Sequence, residues 1–105
     1  MFNSLVSQEH IEISPAVRGG KPRIVGTRIA VEDVAVMHLK MAYSLMEIAG
    51  KYNLALSSVY AAMAYYFDHR EEIDRRMEED DELVAALKRN HPSRLQQKLR
   101  LLRSE

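Results

Sequence analysis

With 105 residues the chain has room for one domain-sized core, and a hydrophobic content of 47% excludes a wholly disordered protein. Cysteine is absent, which removes disulfides, thiolate metal sites and cysteine nucleophiles together. Fifteen Lys and Arg balance fifteen Asp and Glu, so the chain is not a nucleic-acid binder over its whole surface. No apolar run reaches the length of about 18 residues that a membrane span needs, and Met1–Val6 lacks a basic segment followed by an apolar core. A cytoplasmic protein is the expectation.

The charge is arranged in blocks. Between Ile13 and Val31 the charged residues are Arg18, Lys21, Arg23 and Arg28, with no acid. Between Asp68 and Glu82 nine acids face three arginines, and between Leu83 and Ser104 six basic residues stand without an acid. Blocks of this kind mark interaction surfaces or solvated helices.

In chain order, His10–Ile13 alternates polar and apolar residues and predicts a short strand ended by Ser14-Pro15. Gly19-Gly20-Lys21-Pro22 is a turn signal, and Arg23–Ile29 is a second β-prone stretch in which Gly26 suggests a bulge. A two-stranded element this small must pack on helices to persist. A first helix is predicted over Val31–Lys40 with Val31, Val34, Ala35 and Leu39 on its buried stripe. After a turn at Met41-Ala42-Tyr43, Ser44 and Glu47 form a Ser-x-x-Glu capping box for a second helix. Leu45, Ile48, Ala49 and Tyr52 are its expected buried face. Asn53 tolerates the left-handed conformation at the helix end, and Leu54 and Leu56 fill the corner. Ser57 is the expected cap of a third helix that runs to Asp68. Beyond it Glu71/Arg75 and Glu72/Arg76 are i, i+4 pairs on a long charged helix that Asn90-His91-Pro92 breaks. A last short helix is expected from Ser93.

The middle of the chain reads as a helix-turn-helix. That motif needs a small residue where its helices cross (Ala49) and one tolerant of positive φ at the turn (Asn53). It also needs apolar residues after the turn and on the inner face of the second helix, here Leu54, Val59 and Ala62. The expected fold is mainly α: a three-helix bundle of helix-turn-helix type over 1–69, with a short N-terminal two-stranded β element. A charged helical extension is expected over 70–105. The third helix, however, carries no charge and no amide from Ser57 to Phe67, whereas recognition helices present such groups to base edges. Only Ser57, Ser58 and tyrosine hydroxyls could touch DNA. Val59, Ala62, Met63 and Tyr66 should face the core, leaving Tyr60, Ala61, Ala64 and Tyr65 as a candidate homodimer seam.

The segment Gly20-Lys21-Pro22-Arg23-Ile24-Val25-Gly26-Thr27-Arg28-Ile29-Ala30-Val31 resembles the signature of a bacterial family, domain of unknown function 433. Met46–Ala49 and Val59–Tyr66 are similar to its second and third helices, and the likeness extends from about Ile11 to His69. A glycine is usual after the first helix, where this chain has Met41-Ala42. The resemblance implies the homeodomain-like fold and, since members resemble antitoxins, a chain that binds and neutralises a PIN-like ribonuclease toxin. It also implies possible repression of its own operon.

On that footing Arg18, Lys21, Arg23 and Arg28 are candidate phosphate contacts, with a structural clamp as the alternative reading, above all for Arg28. The candidate toxin-binding stripe is Ile73, Met77, Val84, Leu87, Leu95, Leu99 and Leu102. The glycines do not space as a nucleotide-binding loop, and the four histidines share no metal-ligand spacing. The acids at Glu78–Glu82 read as a solvated helix face. No nucleophile–base pair is visible. The expectation is a protein without enzymatic activity, cofactor, metal or small-molecule substrate. The alternative is a homodimeric interaction module that does not bind DNA.

Overall fold

The structure, a computed structural model, describes residues 9–90. The order is β1 (Ile11–Glu12), one turn of 3-10 helix (Arg18–Gly20), β2 (Arg23–Ile24), α1 (Val31–Leu39), α2 (Leu45–Tyr52), α3 (Leu56–Asp68) and α4 (Arg70–Asn90). The chain divides into two compact units that part at Arg70/Glu71.

In the first unit β1 and β2 pair antiparallel, Ile11 opposite Ile24 and Glu12 opposite Arg23. The β-prone stretch after Arg23 does not continue as a strand. It folds back on itself, so that the Ile24 N–H donates to the Ile29 carbonyl at 2.9 Å and Arg23 bridges to Ala30. Gly26 makes that reversal with φ 76°, a value an L side chain rarely adopts. Thr27 locks it: its hydroxyl donates to the Ile24 carbonyl at 2.8 Å and accepts from the Ile29 N–H at 3.0 Å. The Gly-Thr pair is therefore a tight turn rather than a bulge in a long strand.

The α1–α2 corner turns through Ala42 at φ 61° and the α2–α3 corner through Asn53 at φ 54°. Asn53 behaves as predicted, and the Leu54 N–H closes the end of α2 by donating to the Ala49 carbonyl at 2.9 Å. At the start of α2 the reciprocal box is formed: the Glu47 N–H donates to Ser44 Oγ at 3.0 Å and the Ser44 N–H to Glu47 Oε1 at 2.9 Å. Ser57 does not cap α3. The cap lies two residues earlier, at Ala55, with no side-chain bond, and the helix begins at Leu56.

α3 is the central element and packs against α1, α2 and both strands. Val59, Ala62, Met63 and Tyr66 are all buried, against Val31, Val34 and Ala35 of α1, Ile48 and Ala49 of α2, and Ile11 and Ile24 of the strands in one core. Three residues expected inside are exposed: Leu39, Tyr52 and Leu56. Leu39 is the last residue of α1 and Tyr52 the last of α2, where the helix has already left the core. In the second unit α4 is a single helix about 30 Å long at 1.5 Å per residue. Its Arg75 turns forward to Glu79 at 3.9 Å rather than back to Glu71. The predicted helix from Ser93 lies outside the described residues. Among those residues no helix is long and apolar enough to cross a membrane.

Candidate interaction surfaces

The basic block of the sequence is matched with acid in the fold. Arg23 is 4% exposed. Its Nη2 pairs with Glu12 Oε1 at 3.1 Å and donates to Ser14 Oγ at 3.0 Å, while its Nη1 donates to the Thr27 carbonyl at 2.7 Å. Arg18, at φ 52°, reaches Asp33 Oδ2 at 2.8 Å and the Arg28 carbonyl at 2.8 Å. The hydrogen bond to Asp33 raises the pKa of its guanidinium above the usual arginine value, against the opposing effect of burial. Lys21 Nζ pairs with Glu32 Oε1 at 3.2 Å. Asp33 also accepts from the Ala30 N–H at 2.9 Å and so holds the first turn of α1.

Arg18 and Lys21 are thus clamps that tie the hairpin to α1, Arg23 clamps the hairpin to itself, and the charge of all three is neutralised locally. Arg23 in particular presents nothing to a phosphate. Arg28 is the exposed member of the set. The sequence carried the signal for this pairing: Glu12 lies just before the basic block, and Glu32 and Asp33 lie just after it. A hairpin that folds its two ends together must bring those acids onto the bases between them.

The described histidines are also engaged in the fold. His38 Nδ1 donates to the Tyr43 carbonyl at 2.8 Å and His69 Nδ1 to the Tyr65 carbonyl at 3.0 Å, because a carbonyl can only accept. His10 Nδ1 lies 3.3 Å from Ser58 Oγ, which ties β1 to the first turn of α3. Ser58 is half-buried by that contact, and Ser57 is exposed. Among the described residues no group of three His, Asp or Glu is placed to hold a metal ion.

α3 shows the opposite character on its outer face. Tyr60 is 56% exposed, Phe67 53% and Leu56 40%, with Ala64 exposed between them. Two of the four predicted seam residues, Tyr60 and Ala64, lie on this open stripe. Ala61 and Tyr65 are half-buried, and Tyr65 stacks on His69 with ring centroids 4.0 Å apart. Leu56 and Phe67 were missed by sequence reasoning, although their spacing of four, four and three residues through Tyr60 and Ala64 is helical.

A separate open depression of about 340 Å³ is lined by Ile29, Asp33, Val36, Met37 and Tyr52. Its one carboxylate, Asp33, already serves Arg18 and Ala30.

On α4, Leu83 and Val84 are exposed, while Met77 and Leu87 are half-buried. Ile73 is buried. Leu95, Leu99 and Leu102 lie outside the described residues.

A short hairpin, three helices and a left-handed corner between the second and third define a helix-turn-helix-type protein whose third helix is apolar on both its faces. The chain belongs to the family described as Protein of unknown function (DUF433), whose sequence model matches residues 11–66. It is also similar to a solved structure, a DUF433 member protein from Anabaena variabilis. The two are 32% identical, the match covers 71% of this chain and 75% of that one, and the TM-score is 0.58. Among curated proteins none matches this chain.

Proposed function

We propose that the chain acts through protein contact, without catalysis, as the antitoxin of a bacterial type II pair that binds and neutralises a PIN-like ribonuclease toxin in the cytoplasm. The observation that carries the protein-contact reading is the outer face of α3, and the exposed pair on α4 carries its toxin limb. Where a DNA-reading helix presents amides and guanidinium groups, this one presents Leu56, Tyr60, Ala64 and Phe67. Aromatic side chains in such a position supply large apolar contact area with little loss of rotamer freedom, a property of protein interfaces. On α4, Leu83 and Val84 stand exposed on a charged helix, a form suited to lying in a partner's groove. The toxin itself comes from the family resemblance.

Repression of the protein's own operon is the weaker limb. Arg18, Lys21 and Arg23 are engaged with acids, and Arg28 and Ser57 are the exposed members of the candidate DNA set. A gel shift against the upstream region tests it: a shift that weakens steeply with salt would support DNA contact, and no shift at low salt would remove it. The toxin limb is tested by co-purification of the full chain with the adjacent gene product. Leu83→Asp together with Val84→Asp should release the partner. Retention of the partner by that variant would exclude this stretch of α4 as the arm.

A further inference from the structure

We propose that α3 pairs antiparallel with the α3 of a second copy, Asp68 of each protomer lying against the α3 N-terminus of the other. The inference rests on reading α3 as a protein-contact face and does not require that the partner on α4 be a toxin.

The open stripe of Leu56, Tyr60, Ala64 and Phe67 falls within roughly 80° of the helix circumference and runs about 16 Å along it. What covers it is indicated by the two helix ends beside it. Ala55 offers no side-chain acceptor to the first turn, and that turn holds no acid. The positive end of the helix is therefore unmatched. The last turn holds no base and ends on exposed Asp68, a carboxylate at the end where a helix favours cations. Ser57 and Asp68 lie about 20° apart on the wheel, along one edge of the stripe.

A two-fold axis level with Ala62 would bring these opposites together. The carboxylate of Asp68 would meet the first turn of the second copy, and its own first turn would meet the second copy's Asp68. The same operation brings Leu56 close to Phe67, two apolar ends of the stripe, and sets Tyr60 against Ala64, a large side chain opposite a small one. A basic or an acidic partner protein would satisfy one helix end and leave the other unmatched. A second copy satisfies both. The stripe offers on the order of 300–600 Å² per protomer, below the roughly 800 Å² of a standard interface, which places the seam among weak, transient contacts.

Sedimentation equilibrium of the full chain from about 1 to 200 micromolar should show a shift from one chain mass to two, centred in the micromolar range. Tyr60→Glu, at an exposed position, should keep the circular-dichroism spectrum and remain monomeric throughout. Asp68→Asn should raise the dissociation constant about ten-fold, two helix-end interactions being lost at once.

The chain has no native cysteine, so the register can be read directly. Residues 57 and 68 are about 16 Å apart on one helix. A disulfide in the Ser57→Cys plus Asp68→Cys variant must then join two chains, while each single variant should stay uncrosslinked. A wild-type chain that is monomeric at every concentration would overturn the proposal, as would single-cysteine variants that crosslink as readily as the double. So would a monomeric wild type whose capture of the adjacent gene product is abolished by Tyr60→Glu, since the face would then belong to that partner. Loss of toxin capture by the α4 variant, with dimerisation intact, touches only the antitoxin reading.

Discussion

The N-terminal hairpin and the outer face of α3 invert what their sequences suggest. The hairpin is written in arginine and lysine and turns out to be electrically closed. Arg18, Lys21 and Arg23 each find an acid, and Arg23 is almost wholly covered. α3 is written in alanine and aromatics, as a buried helix would be, and leaves Tyr60 and Phe67 half in solvent. Charge in a sequence identifies a binding surface only when its partners are elsewhere. Apolar residues identify a core only when every face of the element is packed. The larger exposed apolar surface of the two belongs to the less polar element.

The sharpest way to break this contrast is at Arg23. If it is a clamp, Arg23→Ala removes two hydrogen bonds and an ion pair with Glu12. It should then lower unfolding stability by about 2–4 kcal/mol in urea titration. A variant that unfolds like wild type would return Arg23 to the set of free cations.

The corner between α1 and α2 offers a change of opposite sign. Ala42 sits at φ 61°, a left-handed conformation that costs an L residue roughly 1–2 kcal/mol. Glycine there is conformationally free but loses more entropy on folding. Ala42→Gly should therefore stabilise by about 0.5–1 kcal/mol, read as a rise in Tm. At the same corner, hydrogen bonds from Ser44, the backbone N–H first, hold the Glu47 carboxyl below the usual carboxylate range. Folding thus favours the ionised form. Its contribution is complete above the unfolded pKa and disappears as pH falls through the lowered value. The stability gap between wild type and Glu47→Ala should accordingly close on acidification and remain constant from pH 6 to 8.

The smallest effect is expected on the open face. Tyr60→Ala, measured under dilute conditions, should change stability by no more than about 0.5 kcal/mol. A loss comparable with that at Arg23 would mean that Tyr60 belongs to the core.

Much of this architecture was legible because local chemistry and tertiary packing agree. Asn53 and the Ser44–Glu47 box place the two ends of α2, and the set Val59, Ala62, Met63 and Tyr66 is the buried face of α3 as its periodicity predicts. The failures have physical causes. Arg23–Ile29 has strand propensity throughout, but Gly26 and Thr27 turn it back after two residues, which propensity cannot register. Ser57 is a good cap by residue type, yet the closure of α2 by Leu54 starts the next helix before the chain reaches it. The basic hairpin misled because its acids lie at the edges of the block, in Glu12, Glu32 and Asp33, and only the fold brings them in. Leu56 reads as a corner residue because it follows Leu54 so closely, yet it opens the outer stripe of α3 that Phe67 closes.

The central contrast is tested most directly by the concentration dependence of thermal unfolding in wild type, Tyr60→Glu and Arg23→Ala. Anything that binds the folded chain alone raises its midpoint by mass action. Wild type should therefore unfold at a higher temperature as its concentration rises. Tyr60→Glu should show one concentration-independent midpoint equal to the dilute wild-type value, and Arg23→Ala should be lower at every concentration. A wild-type midpoint independent of concentration, or a dilute Tyr60→Glu chain as unstable as Arg23→Ala, would contradict an open α3 face beside a closed hairpin.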